Sequence, residues 1–381
     1  MTKNIYRPLT IVADCVDAAL GFGLQHLLKN GIVQDSRNGR VLRYPAPVTT
    51  MYTNPRNRVL FSPTRDANPF FHFFEGLWML AGCNDSASVA HYAKQMSAFA
   101  DEDGTLWGAY GWRWREFFGF DQLEELVQLM RRDPLTRRAV LTMWSPRGDL
   151  IPTRDRSEPF QDTRGGIHSK DVPCNTQVYF DPSMGRLDMT VCNRSNDAVW
   201  GAYGANVVHM SMLHEFMSLA TGIPMGYYYQ QSNNFHIYLD RPDVQRLVDT
   251  EGARVDWCTK LTVEYRYPTE GFQPGGLGEL RSKEKLLPVS MSQNWEPDEG
   301  EHFDYLRWGS SAFKLVSDPT CYLQPGEHDD WFDTVAQPIL LAHRAYKDGD
   351  WLVALDRASR IAAPDWRMAC SAWLERRHPG A

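Results

Sequence analysis

The sequence predicts an α+β fold, and three observations predict it. Residues 177–194 show the alternation and central turn of a β-hairpin. Two segments, 69–81 and 205–220, are apolar around nearly the whole helical circumference. From residue 329 to 377 the chain turns helical again. With 381 residues, 43% of them hydrophobic and 12% aromatic, the chain can bury one large core or two ordinary ones.

Taken in order, residues 18–28 carry the spacing of a short amphipathic helix. The run Asp35-Ser36-Arg37-Asn38-Gly39-Arg40 is turn-forming. A solvated loop is the plain reading; an Arg beside a Gly also builds an anion-gripping arm, because Gly lets the backbone come close. Val59 to Phe61 is a strand-like piece among prolines. Next comes a well-punctuated helix. Asn68 suits its N-cap, Pro69 its first position and Gly82 its C-terminal cap. Glu75 is the only carboxylate in that apolar helix, and a buried carboxylate is costly unless paired, so it is either a satisfied structural group or a functional one.

Tyr110-Gly111-Trp112-Arg113-Trp114-Arg115 is an aromatic-basic run that, alone, suggests packing. Leu123, Leu126, Val127 and Met130 recur at helical spacing, and Asp133-Pro134 ends that helix. Thr136-Arg137-Arg138 then enters the apolar strand AVLTMW, where paired Arg are either a solvated edge or a phosphate grip. In the hairpin, Leu187, Met189 and Val191 share one face, with Asp188, Thr190, Cys192 and Arg194 on the other. Residues 205–220 form a helix too apolar for a surface, stopped by Thr221-Gly222-Ile223-Pro224, and Asn206 sits at its start. The texture changes after about residue 270. GFQPGGLGEL lacks the Lys-Ser/Thr of a phosphate loop, while Trp331, Val335, Ile339 and Leu340 resume core spacing. Residues 1–270 are therefore the expected catalytic domain, and 271–381 a mostly helical extension of unassigned role.

The formal charge of −7 argues against a general nucleic-acid binder. Seven scattered Cys, with no CxxC pair and no zinc spacing, suggest neither a disulfide framework nor a metal site. No apolar run approaches the ~20 residues of a membrane span. A soluble protein of a reducing compartment is expected, with no membrane, no metal and no nucleic acid.

Taken together, these residues resemble the thymidylate synthase superfamily over roughly residues 20–245. Pro173-Cys174 corresponds to its nucleophile, and Arg194-Ser195-x-Asp197 follows at the family spacing. Asn206 and His236-Ile237-Tyr238 continue in order, with one extra residue between Asp197 and Asn206. Asp133-Pro-x-Thr-Arg137-Arg138, the Tyr110 segment and Glu75 match upstream, and Arg37 is a weaker counterpart of the phosphate-loop Arg.

The resemblance implies a large mixed β-sheet with flanking helices and a homodimer. It also implies a pyrimidine deoxynucleotide substrate and 5,10-methylenetetrahydrofolate as one-carbon donor. By the same resemblance Cys174 attacks carbon 6, its thiolate favoured beside cations. Arg37, Arg194 and Ser195 hold the 5′-phosphate with Arg137 and Arg138 of the neighbouring subunit. His236 and Tyr238 bind the 3′-hydroxyl, Asn206 reads the base edge, Asp197 touches the pterin, and Tyr110 and Glu75 serve proton transfer.

The departures point to the product. Where a synthase has two Trp near the folate, this chain has Met96 and Phe99; Asn175 replaces the His after Pro-Cys; the chain ends ERRHPGA, without the short closing tail. A wetter site lets water, rather than hydride, reach the carbon-5 methylene, leaving a hydroxymethyl group. The Arg194-Ser195-Asn196-Asp197 tetrad and the Cys174-Asn-Thr run also resemble bacteriophage nucleotide hydroxymethylases. The expected activity is 5-hydroxymethylation of dUMP, in the cytoplasm (the host's, if the chain is viral, where it would modify DNA precursors). Asn206 suits uracil and Asp would suit cytosine, although Ala205 or Asn206 can be the residue facing the base. Thymidylate synthesis, dCMP hydroxymethylation or methylation, an inactive RNA-binding relative, and a Cys hydrolase pairing Cys174 with His209 or His236 remain as alternatives.

Overall fold

The structure, a computed structural model, describes residues 7–36, 38–150, 171–251, 305–318 and 331–378. Its strands are β1 (Leu9–Ala13), β2 (Ile32–Ser36), β3 (Gly39–Arg43), β4 (Val48–Tyr52), β5 (Val140–Thr142), β6 (Asn175–Asp181), β7 (Leu187–Asn193), β8 (Asn196–Asp197), β9 (Met225–Ser232) and β10 (Phe235–Tyr238). Its helices are α1 (Val16–Asn30), α2 (Pro69–Leu80), α3 (Ser86–Tyr92), α4 (Tyr110–Arg115), α5 (Gln122–Arg132), α6 (Pro146–Asp149), α7 (Asn206–Thr221) and α8 (Pro242–Glu251). Beyond them lie α9 (Tyr305–Ser317), α10 (Gln337–Lys347), α11 (Trp351–Ser359) and α12 (Pro364–Glu375).

Six strands form a mixed sheet in the order β1-β4-β9-β7-β6-β5, with β1–β4 and β7–β9 parallel and the other pairs antiparallel. A second sheet runs β2-β3-β10-β8. The hairpin is as predicted: Asp181 pairs with Asp188, and Leu187, Met189 and Val191 all point into the core. Helices α1 and α7 pack on that buried face. The opposite face is open: Val12 is 55% exposed and Tyr179 41%, with Tyr227 and Tyr229 partly covered. Val59–Phe61, predicted as strand-like, forms no strand. Its backbone is held instead by Asp17, whose carboxylate accepts the Phe61 N–H at 3.1 Å.

Helix α2 is buried along its length, as its composition requires. Asn68 caps it, accepting the Phe71 N–H at 3.2 Å, and the chain leaves it at Gly82 with φ 78°. One side faces α7, where Gly76 leaves room for the Met212 sulfur; a Cβ there would lie 2.4 Å from Sδ. The other side receives the C-terminal helices, with Phe73 against Trp331 and Trp366, and Phe70 against Trp373 and His343. These helices therefore join the same core. Asp66, at φ 45°, is held by Arg376 and Arg377 from the end of the chain.

Between α7 and α12 lies a buried charge cluster. Arg58 and Arg56 pair with Glu215, and Asp365 lies close enough to feel both charge types. Burial pushes the Asp365 carboxyl up to about 6, against the Trp366 N–H and Arg58, which pull it down. A carboxyl whose folded pKa is raised favours folding below its unfolded value of about 4, and that support is lost as pH rises through 6. Asp365→Asn is therefore expected to be more stable than the parent at pH 7.5, by about 1 kcal/mol, with the gap closing near pH 4. Denaturant midpoints at the two pH values check this.

Candidate active site

Cys174 stands at the entrance to β6, and the surrounding chain fixes it from several directions. Gly111 lets α4 lie against α2, since a Cβ there would meet the Met79 carbonyl oxygen at 1.9 Å. That approach sets Tyr110, whose hydroxyl accepts the N–H groups of Cys174 and Asn175, each at 3.3 Å. From the other side Arg194 donates to the carbonyls of Pro173 and Val172, both at 2.9 Å, while its N–H donates to Cys174 O at 2.9 Å. Asp171 accepts the Gly108 N–H at 2.9 Å. Burial, chiefly, raises the Tyr110 phenol above its usual range, with Cys174 acting in the same direction. Tyr110 is thus held protonated, able to pass its proton on only to a strong base.

A chain of amides runs behind the thiol. Asn175 Nδ2 faces Asn206 Oδ1 at 3.5 Å, Asn206 Nδ2 donates to Asn196 Oδ1 at 2.9 Å, and Asn196 Nδ2 donates to Ser232 Oγ at 3.0 Å. All four residues are buried. The extra residue before Asn206 is absorbed by a wide turn, in which the Asn206 N–H reaches back five residues to Gly201 O and Gly204 bends to φ −123°, ψ −115°. This puts Asn206, rather than Ala205, into the amide chain. Gly201 lies against the chain, where a Cβ would sit 2.8 Å from Asn196 Oδ1.

Glu75 and His209 meet where α2 crosses α7, with Glu75 Oε2 and His209 Nδ1 3.5 Å apart. The His209 ring lies edge-on to Tyr110, centroids 5.6 Å apart. On β8 and β10, Asp197 pairs in register with His236, which stacks edge-on against Tyr238 at 5.2 Å. Asp197 Oδ1 caps the wide turn, accepting the Val199 and Trp200 N–H groups at 2.9 and 2.6 Å. Its Oδ2 is buried without a hydrogen-bond partner among the described residues. Burial raises its carboxyl, while the Trp200 N–H and His236 oppose the rise.

Contacts therefore link Cys174, Tyr110, Arg194 and Asn206 through the segment 172–175, and Glu75 joins them through His209 and Tyr110, with Ser195 following Arg194 and Asp197, His236 and Tyr238 on the second sheet. Met96 is half-buried and Phe99 is 45% exposed on a short 3₁₀ helix, Lys94–Phe99. Arg137 and Arg138 are exposed at the entrance to β5. Arg37 lies outside the described residues; its neighbours Ser36 and Gly39 pair across a hairpin whose Arg40 binds Asp240, two residues beyond Tyr238. Among the described residues no metal-ligating group of three or more occurs, and no helix is long and apolar enough to cross a membrane.

The thymidylate synthase family model matches residues 23–255. The chain belongs to the thymidylate synthase family. It is 38% identical to a deoxyuridylate hydroxymethyltransferase of Pseudomonas phage M6 over 367 residues, 95% of this chain and 92% of that protein. A deoxyuridylate hydroxymethyltransferase of Bacillus phage SP01 is 36% identical over 228 residues, 57% of this chain and 55% of that one. A thymidylate synthase of Clostridium beijerinckii is 26% identical over 226 residues, 58% and 76% of the two chains.

Within this family member, the motifs did not single out the brace Asp171, and they marked Asn175 and Asn196 only as departures from the synthase pattern, not as links of one amide chain. No spacing rule marks these contacts, because the partners lie far away in sequence. Asn196→Ala leaves Asn206 Nδ2 buried without its acceptor, which costs about 1–3 kcal/mol. A lowered denaturant midpoint, with unchanged far-UV circular dichroism, is the expected result.

Proposed function

We propose that this chain is a deoxyuridylate hydroxymethyltransferase, converting dUMP to 5-hydroxymethyl-dUMP. The observation that carries the reading is the neutral amide chain in which Asn206 stands between Asn175, the residue after Cys174, and Asn196. An amide both donates to a carbonyl and accepts from a ring N–H, which matches the uracil edge; cytosine offers an amino group and calls for a carboxylate. The phage enzyme similar over 95% of the chain points the same way.

In this reading Cys174 adds to carbon 6, which makes carbon 5 nucleophilic. Methylenetetrahydrofolate supplies the one-carbon unit when bound. The residues present fit it: the unpartnered buried Oδ2 of Asp197 suits a pterin N–H edge, and exposed Phe99, with Met96, offers an apolar surface. Tyr110 and Glu75 handle protons at carbon 5 and at the base carbonyl. Arg194 retains Nη1, which has no partner among the described residues, and with Ser195 and Arg37 it holds the 5′-phosphate. His236 and Tyr238 take the 3′-hydroxyl. A second copy packs against the open face of the six-stranded sheet and lends Arg137 and Arg138 to its neighbour's phosphate site. Residues 1–270 form the catalytic domain, and the helices after 270 complete its core.

The test is one incubation with methylenetetrahydrofolate and either dUMP or dCMP, reading product mass and dihydrofolate absorbance together. Hydroxymethyl-dUMP without dihydrofolate is expected; a methyl product with dihydrofolate would make the chain a thymidylate synthase instead. Asn206→Asp is expected to move the dCMP-to-dUMP ratio of kcat/KM upward by at least about 10-fold. An unmoved ratio means that Asn206 does not read the base.

A further inference from the structure

The buried histidines differ in how they are satisfied. His214 Nε2 bonds the Leu187 carbonyl at 2.6 Å, and His343 stacks on Tyr92 with centroids 4.3 Å apart. His72, on α2, is held neutral because burial, chiefly, pushes its pKa down to about 3. His209 is different. It is 2% exposed, and neither ring nitrogen has a hydrogen-bond partner among the described residues; nor has Glu75 Oε2, 3.5 Å away. Buried polar atoms left unpaired in so apolar a helix pair cost free energy, and such exceptions call for a reason.

Position supplies one. His209 lies three residues after Asn206 on α7, so both side chains project from the same helical face. Its ring meets Tyr110, whose hydroxyl holds the backbone of Cys174. Gly76 allows the close approach of α2 that brings Glu75 within reach. The dyad is thus separated only by Tyr110 from the backbone of Cys174, where the hydroxymethylation reading puts the nucleotide.

We infer that His209 is a positioning residue for water addition: it orients Glu75 to take the proton from the water that attacks the carbon-5 methylene. The inference rests on the hydroxymethylation reading above. Once the one-carbon unit is on carbon 5, that carbon has lost its proton and the bond to the folate nitrogen has broken with its electron pair leaving on the nitrogen, the nucleotide carries an exocyclic methylene conjugated with the carbon-4 carbonyl, and Cys174 is still on carbon 6. The water oxygen bonds to the methylene carbon, and the π pair moves to the carbon-4 oxygen as an enolate. The water proton passes to Glu75, whose carboxylate the Nδ1–H of His209 holds in line. The enolate pair then re-forms the carbon 5–carbon 6 double bond and expels the Cys174 thiolate. Nothing is oxidised or reduced.

The test separates this step from those before it. His209→Leu and His209→Gln are incubated with methylenetetrahydrofolate, [5-³H]dUMP and added 2-mercaptoethanol, whose thiolate attacks the methylene without a general base. Tritium release reports loss of the carbon-5 proton, and the ratio of thioether to hydroxymethyl product reports water addition. In His209→Leu, hydroxymethyl product is expected to fall about 30-fold while tritium release falls less than about 3-fold, so the ratio rises about 10-fold. His209→Gln, whose amide N–H can still reach Glu75, is expected to bring the ratio back to within about 3-fold of the parent. The ratio counts only completed turnovers, so partial unfolding does not move it; if the Leu variant yields no enzyme, His209→Asn, too short to reach Glu75, takes its place. An unchanged ratio, with tritium release and product falling together, overturns the inference. A parent enzyme that makes methyl product with dihydrofolate overturns the reaction itself, a result distinct from an unchanged ratio.

Discussion

Helix α2 must be covered on every side, and the rest of the molecule is arranged to do so. A twelve-residue helix with one carboxylate cannot face water without a large apolar cost. α7 takes one side, at a distance that only Gly76 permits, and this is the side on which Glu75 meets His209. The tryptophans of the C-terminal helices take the other. The same packing that closes the core therefore sets where Glu75 stands, with the C-terminal helices on the opposite side of α2.

The site itself is built on tethered backbone rather than on long free side chains. Tyr110 and Arg194 bond main-chain groups of the segment 172–175, and Asp171, just before it, accepts the main-chain N–H of Gly108. Arg194 uses two of its donors on the carbonyls of Pro173 and Val172 and so fixes the backbone on which Cys174 stands. The amide chain behind the thiol is neutral throughout. A buried neutral network is selective because a wrong partner leaves a donor or acceptor unpaired in a dry place.

Much of this was legible in the sequence, for identifiable reasons. The punctuation of α2 by Asn68, Pro69 and Gly82, and the alternation in β7, are local signals that report local structure. Cys174, Arg194, Asn206 and His236 stand out by order and spacing; Arg194 bonds the Cys174 carbonyl and Asn206 meets Asn175, while His236 lies on the second sheet. What was hidden is what depends on distant partners. The total apolarity of α2 announced burial but not that residues 331–373 would supply the cover. The extra residue before Asn206 left its register open, because a wide helical turn has no sequence signature, and Val59–Phe61 copied a strand while the Phe61 N–H went to Asp17. His209, considered only as a partner for Cys174, instead meets Glu75.

The central claim is that one thiol among several, Cys174, becomes bonded to the nucleotide. Its most direct test is peptide mapping by mass spectrometry after incubation with methylenetetrahydrofolate and 5-fluoro-dUMP, whose fluorine cannot leave as a proton and so arrests the adduct. The account predicts the mass of nucleotide plus one-carbon donor on the peptide containing Cys174. No adduct, or one on Cys192 or Cys83, would contradict it.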